Sequence, residues 1–191
     1  PLYGDALWDV TFVGNGHTIS NMNINYNVNG ENTTSDYGLV DEMLAGAGFV
    51  GVATNNLYFQ DLNFDNCYIK ACERYVGCVV GRNFRGYVEM NNVKVSNFKV
   101  DGWYDMDNRI NEDGAAINIA QRVGGIMGSN HGQSLFENCH VENIELTGYQ
   151  NMAGIVGIDQ GGVLNEYSFL DCSVKGMTIN FGYGFKKDVN D

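Results

Sequence analysis

The chain has 191 residues, 44% of them hydrophobic, with 25 glycines and one proline, and its 23 acidic side chains outnumber 11 basic ones to give a net charge of −12. That apolar share is too high for a disordered chain, and the length suffices for one domain with a substantial core. No apolar run approaches the roughly 20 residues of a membrane span, no signal-peptide pattern is visible, and no basic face suits nucleic-acid phosphates or anionic lipid. The expectations are therefore no nucleic-acid partner and no membrane insertion. Pro1 opens in the middle of a pattern, as expected for a piece of a larger protein.

In chain order, LYGDALWDV (Leu2–Val10) precedes an apolar series at Ile19, Met22 and Ile24. A long excursion from about Asn25 to Ala47 follows, then the block GFVG (Gly48–Gly51). Next comes a ladder of apolar residues at Phe59, Leu62, Phe64, Cys67 and Ile69. After a brief turn through Lys70–Val76, the block returns as CVVG (Cys78–Gly81) and the ladder as Met90, Val93, Val95, Phe98 and Val100. A second excursion spans about Asp101–Arg122. GIMG (Gly125–Gly128) then leads to Phe136, Cys139, Val141, Ile144 and Leu146, and GIVG (Gly154–Gly157) to Phe169, Cys172, Val174, Met177 and Ile179. The tail FGYGFKKDVND is read as a cover for the last repeat or a lead into another domain.

Each full ladder steps by three, two, three and two. A step of two keeps side chains on one face of a strand. A step of three spends one extra residue turning a corner while the next apolar side chain still points inward. Asn21, Asp61, Asn92, Asn138 and Asp171 precede the second ladder position, and Asn66, Asn97, Asn143 and Gly176 the fourth. These residue types tolerate the left-handed backbone of a tight bend. Each ladder is therefore expected as three short strands with two corners between them, and each Gly-block as one further strand.

A chain that turns alike at every repeat and advances one strand spacing is a right-handed parallel β-helix. The expected fold is all-β, one domain over residues 1–191, with about five coils near 9–47, 48–76, 77–123, 124–152 and 153–181, and a tail at 182–191. A leucine-rich or propeller repeat is the rival, but the ladder has neither leucine spacing nor a Trp-Asp signature. Five cysteines at irregular spacing make no disulfide framework, and free core thiols are the expectation, with a Cys139–Cys172 bridge left open.

FVGNGHTISNMNI (Phe12–Ile24), together with GFVG, GIMG and GIVG, resembles the GLUG-type repeats of bacterial surface proteins. Such repeats occur in Bacteroidetes-like adhesin-type proteins and in non-catalytic regions of IgA-cleaving metallopeptidases. The resemblance covers nearly the whole chain. It implies a right-handed β-helix, an extracellular or cell-surface location and membership in a larger protein, and it carries no catalytic residues. CVVG departs from the pattern at Cys78, which questions that local turn alone.

Insertions are where repeat proteins place function. The two excursions are expected to flank a notch whose floor includes Glu73, Arg74 and Tyr75. In DGWYDMDNRINEDG, Trp103 and Tyr104 suit stacking on a sugar ring beside Asp105 and Asp107. Asp101, Asp105, Asp107, Glu112 and Asp113 offer hard oxygen ligands for calcium, although Ile110 stands where an EF-hand needs glycine. A solvated acidic loop is the plain alternative. A glycosidase pair drawn from Asp36, Asp41 or Glu42 and Asp105 or Asp107 would need a separation that sequence does not give. His17 and His131 lie in Gly-rich turns, His140 points outward, and neither HExxH nor GxSxG occurs.

The leading functional expectation is a non-catalytic surface module, an adhesin, stalk or ligand-presenting domain, with a glycan or host-surface protein as partner. The alternative is a polysaccharide lyase or glycoside hydrolase using acids in the notch. End-to-end assembly through open strand edges is a third expectation.

Overall fold

The computed structural model describes residues 9–26, 46–71, 74–102, 120–161 and 168–181. Among them are strands β1 (Asp9–Val13), β2 (Thr18–Ser20), β3 (Asn23–Tyr26), β4 (Gly46–Ala47), β5 (Val50–Ala53) and β6 (Asn56–Asp65). They continue as β7 (Tyr68–Ala71), β8 (Tyr75–Gly77), β9 (Val80–Asn83), β10 (Tyr87–Asp101), β11 (Arg122–Gly124) and β12 (Met127–Asn130). The last are β13 (Gln133–Glu137), β14 (His140–Gly148), β15 (Asn151–Ala153), β16 (Val156–Asp159), β17 (Phe169–Leu170) and β18 (Ser173–Phe181). No helix occurs among the described residues. The protein is all-β, and every strand pairing among these residues is parallel.

The ladder residues populate a ten-stranded sheet. Its register aligns equivalent positions of successive repeats. Val93 sits opposite Leu62, and the flanking pairs Asn91↔Glu137 and Lys94↔His140 bring Cys139 to its other side. Glu137↔Leu170 and His140↔Ser173 extend the column to Cys172. Leu62, Val93 and Cys139 are buried, and Cys172 is half-buried. The thiols of Cys67, Cys78, Cys139 and Cys172 are free.

All eight Asn and Asp corner residues lie at left-handed φ, from 51° at Asp61 and Asn97 to 57° at Asn21, and Gly176 lies at 68°. β10 runs unbroken through both of its corners, Asn92 and Asn97, so its three expected pieces form one strand bent twice. Each corner consumes one residue, as a bulge does, and restores the inward alternation. The corner amides also bond between repeats. Asn138 Nδ2 donates to Asn92 Oδ1 at 3.1 Å, and Asn92 Nδ2 donates to Asp61 Oδ1 at 2.7 Å.

The Gly-blocks differ from the single strand expected of them. Each block bends between two short strands in two different four-stranded sheets, ordered β15-β11-β8-β4 and β16-β12-β9-β5. The closing glycine lies where these sheets press together. A Cβ on Gly128 would come 2.5 Å from Gly81 O and Val76 N, and one on Gly81 would come 2.5 Å from Ala47 N. No side chain fits such an approach. Cys78 and Val79, at the bend, are fully buried, so the departure from the block pattern replaces a glycine by a core thiol.

Phe59, Phe64, Phe98 and Phe136 fill the interior. Phe12 stacks on Phe59 at 4.8 Å and Phe136 on Phe169 at 5.1 Å, so aromatic columns run between repeats. Burying one such ring contributes roughly 1.5–3 kcal/mol.

Candidate functional site

Trp103, Tyr104, Asp105, Asp107, Glu112 and Asp113 lie outside the described residues, as do Glu73, Asp36, Asp41 and Glu42. Asp101 closes β10, aligned between Lys70 and Thr147, and its Oδ2 accepts a hydrogen bond from the Tyr68 hydroxyl at 3.4 Å. Among the described residues, no group of three or more His, Cys, Asp or Glu side chains is placed to hold a metal. His17 Nδ1 lies 2.7 Å from Gly14 O within its turn. His140, between two inward positions, meets Ser173 Oγ at 2.9 Å and Asn138 Oδ1 at 3.0 Å on the outer face.

Arg74 and Tyr75, expected on a notch floor, belong to a larger constellation. Tyr75 opens β8 with only 2% of its surface exposed, so its ring is a buried platform. Arg122, its register partner in β11, donates from Nη1 to the Tyr75 hydroxyl at 2.8 Å and holds its guanidinium 5.1 Å from the ring centre. Arg82 of β9 lies 4.5 Å from the same ring and 4.7 Å from that of Phe84, so two aromatic faces hold one cation. Arg74 stands 5.7 Å from the Tyr75 centre and donates from Nε to Gln121 Oε1 at 3.1 Å. Arg85 sits over Phe84 at 4.9 Å. Such a contact contributes about 0.5–1 kcal/mol where the cation is exposed, as at Arg85, and about 2 kcal/mol where it is desolvated, as at Arg82.

His131 completes the group, its ring meeting Tyr75 edge-on at 5.9 Å. Burial holds its pKa below the ordinary imidazole value, and the charges of Arg82, Arg122 and Arg74 push the same way. Its backbone N–H donates to Asn83 O at 2.7 Å. Asn83 Nδ2 in turn donates to Asn130 Oδ1 at 2.8 Å and to Gly86 O at 3.0 Å, and Asn130 Nδ2 donates to Asp159 Oδ1 at 2.9 Å. These buried amides fix the turns that carry the cluster.

Polar atoms buried here without a hydrogen-bond partner among the described residues include Asn83 Oδ1, Arg122 Nε, Ser129 Oγ and His131 Nε2. Buried polar groups are nearly always paired, because leaving one unmade costs about 1–3 kcal/mol. Ser129 is the register partner of Arg82, so the two side chains leave their sheet on the same side.

Sequence reading found Arg74 and Tyr75 and missed Arg82, Arg122, Ser129 and His131. A signal was present. Aligning RYVGCVVGR on QRVGGIMGS by their closing glycines sets Arg122 beside Tyr75 and Ser129 beside Arg82. No protein-family profile matches this chain, and no curated protein or solved structure does either.

Proposed function

We propose that this chain is a non-catalytic, ligand-presenting module of an extracellular or cell-surface protein, and that it binds a glycan at the Tyr75 cluster. The proposal includes the finer architecture: the three parallel sheets are the faces of a right-handed parallel β-helix of about five coils. Parallel register between equivalent positions of successive repeats supports it, as does the strong right-handed preference of parallel crossovers.

One observation carries the functional reading. In a chain of net charge −12, four arginines gather on the rings of Tyr75 and Phe84. Guanidinium groups stacked on aromatic rings form a rigid surface that bonds hydroxyl and acidic oxygens from fixed directions. Short strands paired on both sides supply the rigidity a binding site needs.

A glycan array, run beside assays for reducing ends and unsaturated products, tests the reading. The expected outcome is glycan retention without turnover, weakened in Arg122→Ala. Turnover lost in Asp105→Asn or Asp107→Asn would instead identify a carbohydrate-active enzyme and overturn it.

A further inference from the structure

We propose that the two ends of the stack are complementary docking surfaces, through which a second copy of this chain adds head to tail with its first repeat seated on the last repeat of the copy before it. The inference rests on the stacked-coil architecture proposed above and goes beyond the glycan-binding reading, since the Tyr75 cluster takes no part in it.

All three sheets end in open edges. Among the described strands, β1 to β5 pair only with the repeat that follows them. At the other end, β15 to β18 pair only with the repeat that precedes them. Inside the molecule, each boundary between repeats joins two such edges in parallel. The open edge of the last repeat and that of the first are therefore the two halves of an interface the molecule already makes, with the same strand direction and the backbone donors and acceptors each half requires.

Side chains single out the same two faces. Every large apolar side chain exposed among the described residues lies at one of these ends. β1 and the bend between β4 and β5 hold those of the first repeat, Val10 and Phe49 among them, whereas β17 and β18 hold Phe169, Val174, Met177 and Phe181. The ladders at the two ends also match. A second copy placed one strand spacing beyond β17 and β18 sets Phe12 over Phe169, Ile19 over Val174 and Met22 over Met177. The first repeat already makes this fit with the second, where Phe12 and Ile19 lie opposite Phe59 and Phe64.

Proteins that keep a sheet edge unpaired guard it with charge or proline. These edges have little of either. In a chain of net charge −12, Asp9 is the one charged residue of β1 to β5, Asp159 and Lys175 are the two of β15 to β18, and none of these strands contains proline. Each charge engages the adjoining repeat of its own chain: Asp9 with Asn56 at 2.9 Å, Asp159 with Asn130 at 2.9 Å and Lys175 with Glu142 at 3.5 Å.

Sedimentation velocity of the full chain over a wide concentration range tests the proposal. A head-to-tail contact along the stack axis does not close, so mass should rise with concentration through a series of oligomers without a fixed end point. Salt should strengthen association by screening the net negative charge. Met22→Lys blocks one end and Met177→Lys the other; each alone should raise the concentration needed for association about tenfold or more, because docking would bury an unpaired ammonium. Mixed in equal amounts, the two variants should form dimers and nothing larger, since each retains the end the other lacks. That recovery also shows that both fold, and Val10→Lys, at an exposed side chain of β1, replaces Met22→Lys if the latter does not. A monomer at every concentration would mean that the chain's own terminal segments cover the ends; it would overturn the proposal and leave the stacking of repeats within one chain standing. Dimers of Met22→Lys or Val10→Lys alone would show like ends meeting, and association untouched by either block would place the contact elsewhere. Either result, or folded variants that stay monomeric when mixed, would also overturn it.

Discussion

Asn92 shows how much one side chain contributes at a corner. Its φ of 54° suits Asn and Gly, and its amide bridges Asp61 and Asn138 in the neighbouring repeats. Asn92→Ala should cost about 1–3 kcal/mol in urea unfolding, from backbone strain plus lost hydrogen bonds. Asn92→Gly, which relieves the strain and loses only the amide, should cost less. Equal losses would show that φ is not what selects Asn there. Alkaline pH tests two other residues. Burial pushes the Tyr87 hydroxyl up to about 12, helped by its hydrogen bond to Glu89, and burial pushes the Cys139 thiol up to about 12. Both hold their protons more tightly folded than unfolded. Their stabilising effect is full below the ordinary values of 9.0 and 10.0 and is lost as pH rises toward 12. Stability should therefore fall through that window, and less steeply above pH 10 in Tyr87→Phe; identical slopes would contradict the assignment. The corners were legible because Asn, Asp and Gly are chosen by local backbone geometry. The arginine cluster was not, because Tyr75 and Arg122 meet only through a pairing across 47 residues.

At the level of strands, the ladders could be read and the Gly-blocks only in part. A ladder alternates between core and solvent, and burial in β10 follows its apolar spacing through both corners. β9 and β12 are buried along their whole length, which erases the period-2 signal that separates strands from their connections. The block therefore looked like one strand when it is the bend between two. Its closing glycine supplies the sharpest test. Gly128→Ala puts a methyl group against Gly81 O and Val76 N and should destabilise the fold by about 3 kcal/mol or abolish it. Phe136→Ala, in the aromatic column, should cost roughly 3–5 kcal/mol by chemical denaturation. If Gly128→Ala proves neutral, the two four-stranded sheets are not in backbone contact.

For the whole molecule, parallel stacking of repeats does two things at once. It buries Phe59, Met90 and Phe136 in one column and assembles Tyr75, Arg82 and Arg122 from three different strands. The arginine–tyrosine cluster is thus a consequence of register, and a slip by one residue would scatter it. The apolar side chains of the last repeat illustrate the same dependence. Val174 and Met177 hold ladder positions yet are exposed, because β18 pairs with β14 alone among the described strands. Nuclear Overhauser contacts in the isotope-labelled chain measure this stacking directly. Parallel register predicts cross-strand contacts from Val95 to Phe64 on one side and to Val141 on the other. Close Hα–Hα contacts pairing these segments in opposite directions would show antiparallel strands and contradict both the fold and the site built on it.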